Sequence, residues 1–375
     1  MRLALFANDY WPTIGGVQTA VRGLAQALRA RGHEPLILTS QPGGSPSAEE
    51  VDGLPVRRFP WGLNPRASFP LRAWRVRREV RDAVLSWKPD ALYVHFVTIS
   101  ALWARDCARI AKAPLLLSFR GNDVMGIAPR SIFTHRIYSS LTAAADANLF
   151  CSPWLEQRGR AAPWFGGRPS GIGVLADAVT VGQRVLPEGV EHGSYAFAAG
   201  RMVRKKGFDL LLGAWAKLGG RVNLPLWLAG DGPERPHLER LTADLGLRPR
   251  VRFLGPVSHA EVLGLLEHAA LSIVPSRDEP YGIVVVEAQA LGVPVVATRV
   301  GNLPQLIDHG KTGYLAEPTA EGLAQAIGAA WDDPRRCDIG RAGHEAPGAR
   351  RSYDTMAAEL EDWIALARSS GSRGG

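Results

Sequence analysis

Cysteine is scarce in this sequence: Cys107, Cys151 and Cys337 stand far apart, with no C-x-x-C pair. An odd number without paired spacing argues against a disulfide framework or a structural zinc site, and suits a reducing cytosol. Long apolar runs are missing too. No stretch approaches the roughly 18 residues that span a bilayer, and the start MRLALFANDYWP has neither a signal-peptide core nor a cleavage site. The expectation is a soluble cytoplasmic protein, at most peripheral at the inner face of the membrane. D-x-D, H-E-x-x-H, G-x-x-x-x-G-K-[ST] and G-x-S-x-G are all absent, which removes most support for metal-assisted, P-loop and serine-hydrolase chemistry. Lysine is rare as well, at 6 of the 44 basic residues, a skew that a GC-rich genome produces without any binding role.

What is present describes a globular α/β protein. The 375 residues are 46% apolar and 21% charged, too long for one ordinary core, so two domains and a cleft are expected. The net charge of +8 invites an anionic partner, yet it is unevenly spread. Residues 1–160 carry 21 Lys and Arg against 12 Asp and Glu, and the remainder 23 against 24. Short apolar strands are expected at 3–7, 36–39, 91–96, 114–119 and 147–151, separated by helical stretches. That alternation is the pattern of a doubly wound parallel sheet. It restarts at 195–200 and recurs with strands at 225–229, 251–254, 271–274 and 293–297. The expected domains are 1–180 and 190–350, with a Gly- and Val-rich linker near 175–194 and a last amphipathic helix over 354–368. The tail SSGSRGG is read as disordered.

Four stretches carry chemistry. In SRDEPYGIVVVEAQALGVPVVAT, a turn at Pro280–Gly282 precedes an apolar helix, whose free N–H groups form a ready anion site. Glu287 sits among Val284, Val285, Val286, Ala288, Ala290 and Leu291, where a carboxylate needs strong partners: ligand hydroxyls, or a nearby arginine. In GRMVRKKGFD, Arg201 and Lys206 lie at a strand-to-helix loop, either a solvated basic turn or a diphosphate clamp. The loop NDYWPTIGGVQTA has Gly15 and Gly16 before a helix, a plain turn or a close approach to a ligand. ALYVHFVTIS ends a strand at His95, which reads as a satisfied edge residue or as one facing the cleft. Residues 69–87 form a basic helix whose apolar side would pack in a core or lie on an anionic membrane.

Together these blocks resemble the retaining glycosyltransferases of family 4, with the two-Rossmann GT-B architecture. The resemblance runs from Arg2 to about Glu361 and rests on P-x-x-G-G at Pro12–Gly16, G-R-x-x-x-x-K-G at Gly200–Gly207, A-G-D-G-P at Ala229–Pro233 and E-P-Y-G-x-x-x-x-E at Glu279–Glu287. It implies sugar transfer from a nucleoside diphosphate donor to a hydroxyl acceptor on a glycan, a glycolipid or a small natural product. No metal or other cofactor is implied, and the helix over 354–368 resembles the terminal helix that crosses back onto the first domain in this architecture. It further implies that Glu279 contacts the donor sugar and His95 sits over it, as the catalytic residues; that Glu287 holds the ribose; and that Gly16, Arg201, Lys206, Tyr281, Gly282 and Ile283 hold the diphosphate. The acceptor hydroxyl would lose its proton to the leaving phosphate on the same face. The chain departs from the family pattern at Gly301, Asn302 and Gln305, where G-G-x-x-E is usual, and at Pro187–Glu191, where P-N-G-V-D is usual. Two alternatives stay open: a nucleotide-sugar epimerase of the same architecture, and a basic protein binding membrane or nucleic acid. No nucleic-acid motif accompanies the charge.

Overall fold

Strands buried on both faces read as continuous apolar runs, because helices cover both sides of a parallel sheet. The computed structural model describes residues 1–11, 16–61, 69–98, 100–167 and 171–371, and for 69–74 and 370–371 the backbone alone. Pro12 and Gly15 of the first glycine loop lie outside the described residues. The chain divides into two units: Met1–Ala178 with Ser352–Gly375, and Val179–Arg351.

Unit 1 carries β1 Arg2–Ala7, α1 Gly16–Ala30, β2 Glu34–Ser40, β3 Ala48–Val51, β4 Leu54–Phe59, α2 Phe69–Trp87, β5 Ala91–His95, α3 Ser100–Ala111, β6 Leu115–Phe119, α4 Ile132–Ala144, β7 Ala147–Phe150, α5 Pro153–Arg160 and β8 Ile172–Val174. Among the described residues its sheet has the order β3-β4-β2-β1-β5-β6-β7-β8. The pairing is parallel throughout except at β3, which runs antiparallel to β4. The sequence pattern misses β3 because its residues alternate between exposed and half-buried and carry Glu49 and Glu50. Such charged edges discourage further strand addition.

Unit 2 repeats the plan with β9 Ala196–Ala199, α6 Phe208–Leu218, β10 Leu226–Ala229, α7 Arg235–Asp244, β11 Val251–Gly255, α8 His259–Glu267, β12 Leu271–Val274, α9 Ile283–Ala290, β13 Val295–Thr298, α10 Leu303–Leu306, β14 Tyr314–Ala316, α11 Ala320–Asp332 and α12 Arg336–His344. Its described sheet is wholly parallel in the order β11-β10-β9-β12-β13-β14. One face is packed by Leu211, Trp215, Leu323 and Ile327, the other by Leu265, Val285, Ala288 and Leu303, all buried. The chain then returns to unit 1 as α13 Tyr353–Gly371, which buries Met356, Ala357, Leu360 and Ile364 with Leu3, Val21, Leu24 and Leu28. The helix runs through Ser369 and Ser370 to Gly371, so the start of the tail is ordered. α2 likewise turns Val76, Val80 and Val84 into the core of unit 1, and that stretch of its apolar side is therefore unavailable to a membrane.

Candidate functional site

Ligands of open parallel sheets sit outside the carboxyl ends of the strands, where the strand order turns back. In unit 2 that point lies between the neighbours β9 and β12. Two loops leave it side by side, 200–207 and 275–282. They are tied together: Arg277 N donates to the Lys205 carbonyl at 2.7 Å, and the Arg277 guanidinium grips both Asp209 carboxylate oxygens at 2.6 Å. Gly207, at φ 68°, lets the loops cross this closely, since a Cβ there would stand 2.0 Å from the Pro275 carbonyl oxygen.

This crossing sets Lys206 against Glu279. Lys206 Nζ donates to Glu279 Oε2 at 2.6 Å, and Ser276 Oγ donates to the same oxygen at 3.2 Å. Glu279 is buried, whereas Arg201 is exposed and makes no side-chain hydrogen bond or ion pair among the described residues. Next in the chain, Gly282 caps α9 at φ 106°. A Cβ there would lie 2.7 Å from Leu303 Cδ2, so only glycine fits. Val285 N and Val286 N donate to the Gly282 carbonyl. The N–H groups of Gly282 and Ile283 find no acceptor among the described residues, which leaves donors and positive helix-end potential for an anion. Tyr281 is buried and its carbonyl accepts from Asn302 Nδ2 at 3.0 Å. Asn302 N also donates to the Glu279 carbonyl at 2.9 Å. The departure from the double-glycine pattern thus supplies a brace for the Glu279–Tyr281 turn.

Glu287, one turn along α9, is only 3% exposed. Its partner is not the arginine weighed from sequence but His259, whose Nε2 lies 2.7 Å from Glu287 Oε1. The carboxylate's hydrogen bond raises the His259 pKa above its ordinary value, against the opposing effect of burial. His259 is placed at the first turn of α8 by a capping box, in which Ser258 and Glu261 satisfy each other's backbone N–H. Glu287 Oε2 accepts no hydrogen bond among the described residues. Sequence reasoning missed His259, Ser276, Asn302 and the Arg277–Asp209 tie. Of these, Ser276, Arg277 and Asp209 lie within stretches it had marked, and Asn302 was noted only as a departure from the family pattern; His259 lies in none.

Gly16 and His95 stand on unit 1. Gly16 opens α1 and is exposed. His95 ends β5 and is 1% exposed, its ring enclosed, with Nδ1 3.1 Å from the Tyr93 hydroxyl. Burial, reinforced by the Arg120 cation, holds its pKa well below the ordinary histidine value.

Two family models match the chain: "Glycosyl transferase 4-like domain" over residues 15–169 and "Glycosyl transferases group 1" over residues 189–345. A glycogen synthase of Mycobacterium tuberculosis is 27% identical over 377 aligned positions, covering 89% of this chain and 87% of that protein. Among solved structures, the sucrose-phosphate synthase of Thermosynechococcus elongatus superposes with a TM-score of 0.80 at 21% identity, covering 98% of this chain and 99% of the other. Anabaena HepE in complex with UDP-glucose gives 0.78 at 22% identity, covering 99% and 100%. These likenesses show the GT-B fold. No described helix is long and apolar enough to cross a membrane. With two models that between them span most of the sequence, the chain belongs to the group 1 glycosyltransferases of the family 4 type.

Proposed function

We propose that this enzyme moves a glycosyl group from a nucleoside diphosphate sugar to an acceptor hydroxyl, with retention of the anomeric configuration and without a bound metal. The observation that carries the reading is the Lys206–Glu279 pair beside the unbonded N–H groups that open α9. As the bond from the anomeric carbon to the phosphate oxygen breaks, negative charge collects on the departing diphosphate. Lys206, Arg201 and the N–H groups of the Tyr281–Ile283 turn are assigned to it, and preorganised donors of this kind stabilise developing charge strongly. The acceptor hydroxyl bonds to the same face of the anomeric carbon, and its proton goes to the leaving phosphate oxygen. Glu279 is assigned to the sugar, and Glu287 to the ribose hydroxyls through the oxygen that His259 leaves open. The same resemblance assigns Gly16 to the diphosphate and His95 to the sugar. HepE, with UDP-glucose bound, supports this donor class. No observation on this chain favours an epimerase. A weaker contact with an anionic surface is proposed on a separate observation: Arg77, Arg105, Arg109, Lys112 and Arg368 line one groove on unit 1.

A thermal-shift panel of UDP, GDP, ADP and TDP tests the donor assignment. At a hundredfold excess over Kd, binding adds about 2.7 kcal/mol, a rise of roughly 5–10 °C. One base is expected to give that rise, and Lys206→Ala and Glu287→Ala to abolish it together with product formation. Full shift and turnover in either variant would refute the assignment of that residue.

A further inference from the structure

Tyr93 and His95 are two residues apart on β5, so their side chains leave the same face of the strand. Beside them Arg120, which follows β6, is 8% exposed. Its Nη2 donates to the Tyr93 hydroxyl at 2.7 Å; its Nη1 donates to Asp177 Oδ1 at 2.7 Å and to the Leu175 carbonyl at 3.2 Å. Asp177 and Leu175 belong to the last residues of unit 1 before the chain passes into unit 2.

The direction of these bonds follows from the chemistry of the groups. A guanidinium only donates, so the bond from Arg120 uses a lone pair of the Tyr93 oxygen and leaves that hydroxyl's single proton to be given elsewhere. The Tyr93 oxygen has one other partner by hydrogen-bond geometry among the described residues, His95 Nδ1 at 3.1 Å. The neighbouring Ser118 hydroxyl works to lower the Tyr93 pKa, as a donor does, so it competes for a lone pair of that oxygen and not for its proton. The phenol proton therefore points at His95 Nδ1. An imidazole that accepts at Nδ1 carries its own proton on Nε2, and His95 Nε2 is enclosed without a protein partner.

We propose that Arg120 and Tyr93 are positioning residues that fix His95 as the neutral tautomer protonated at Nε2, so that His95 serves the transferred sugar as a hydrogen-bond donor and not as a base. Asp177 and the Leu175 carbonyl hold Arg120 in place by accepting from its Nη1. The functional half of this inference rests on the sugar contact proposed above; the tautomer does not.

Nitrogen-15 spectra of the histidine rings, with His95 identified by its loss in His95→Gln, read the tautomer directly at pH 7. The expected result is an unprotonated Nδ1 and a protonated Nε2. A protonated Nδ1, or an imidazolium, overturns the proposal. In Tyr93→Phe the ring is kept and the relay cut, so the His95 signals are expected to move toward a tautomer mixture; unchanged signals overturn the relay. Once an acceptor is in hand, Tyr93→Phe is expected to lower kcat about tenfold, the worth of one oriented hydrogen bond, with the donor KM unchanged. His95→Gln, which retains an N–H donor, is expected to keep much more activity than His95→Ala. Equal loss in both overturns the donor role, while full turnover in His95→Ala refutes the sugar contact and leaves the tautomer result standing.

Discussion

Glu287 is a carboxylate set among valines and alanines on α9, and a single imidazole satisfies one of its oxygens. The pairing with His259 is charge-assisted when the imidazole is protonated, which adds to the strength of a short hydrogen bond. Because the folded pKa of His259 is raised, the stabilisation is complete below the ordinary 6.5 of an unfolded histidine and disappears as pH climbs through the raised folded value. His259→Gln is therefore expected to cost about 1 kcal/mol at pH 6 and clearly less at pH 9, measured by urea unfolding at both. A cost that grows with pH would contradict the pairing. Glu287 was legible in the sequence because a lone carboxylate in an apolar helix demands a reason. His259 was not, since 28 residues separate the partners and nothing in SHAE announces a long-range contact.

Secondary elements were legible wherever an apolar run was long and bounded. β5, β6 and β12 are continuous buried segments, as is β1 after its exposed Arg2, and Gly207 and Gly282 in the motif loops take positive φ. β8 and β14 escaped notice because three-residue strands carry too little pattern, and α12 because RCDIGRAGH spreads two glycines and two arginines through its turns. The final helix was legible from its apolar period and its return to unit 1 from the family resemblance, but the ion pairs that anchor it were not. Arg31 forks onto Glu361 at 2.7 and 2.9 Å and onto Asp354 at 3.0 Å, and His33 reaches Glu361 at 2.7 Å, joining α1 and its exit to α13. The Arg31 hydrogen bonds depress the Glu361 pKa from 4.5 to about 2. A depressed carboxylate stabilises the fold above its unfolded pKa and loses that contribution as pH falls through the folded one. Glu361→Gln is expected to lower stability by about 1 kcal/mol at pH 7, the scale of a partly exposed bidentate pair, and the gap from wild type to shrink between pH 4.5 and 2. A gap independent of pH over that range would show that the pair does not hold α13.

At the scale of the molecule, the charge excess of residues 1–160 has an observable address. Arg75, Arg77, Arg78 and Arg81 project from α2 with side chains 46–80% exposed, and Arg105, Arg109, Lys112 and Arg368 line the adjoining groove. Some of this charge is answered locally: Arg77 meets Asp106 at 2.6 Å, and Arg75 meets Glu79 at 2.9 Å. Arg109 and Lys112 form no ion pair among the described residues. The sequence could not decide between a membrane-lying helix and a core-packed one, because the same apolar spacing serves both. With Val76, Val80 and Val84 buried at 5% exposure or less, that stretch of the apolar face packs in the core, and the attraction to a bilayer proposed for the groove is electrostatic. Such attraction is worth about 1 kcal/mol per basic residue near an anionic leaflet and decays within a Debye length of roughly 8 Å at physiological salt. Co-sedimentation with vesicles rich in phosphatidylglycerol is therefore expected at 20 mM salt, to be lost at 500 mM, and to be absent with neutral vesicles. The double variant Arg109→Glu/Lys112→Glu, which removes two unpaired cations far from the donor loops in sequence, is expected to weaken sedimentation by tenfold or more while leaving the nucleotide-induced thermal shift intact. Binding that survives high salt would require an apolar anchor that the described face does not offer, and no binding at low salt would end the membrane proposal without touching the donor site.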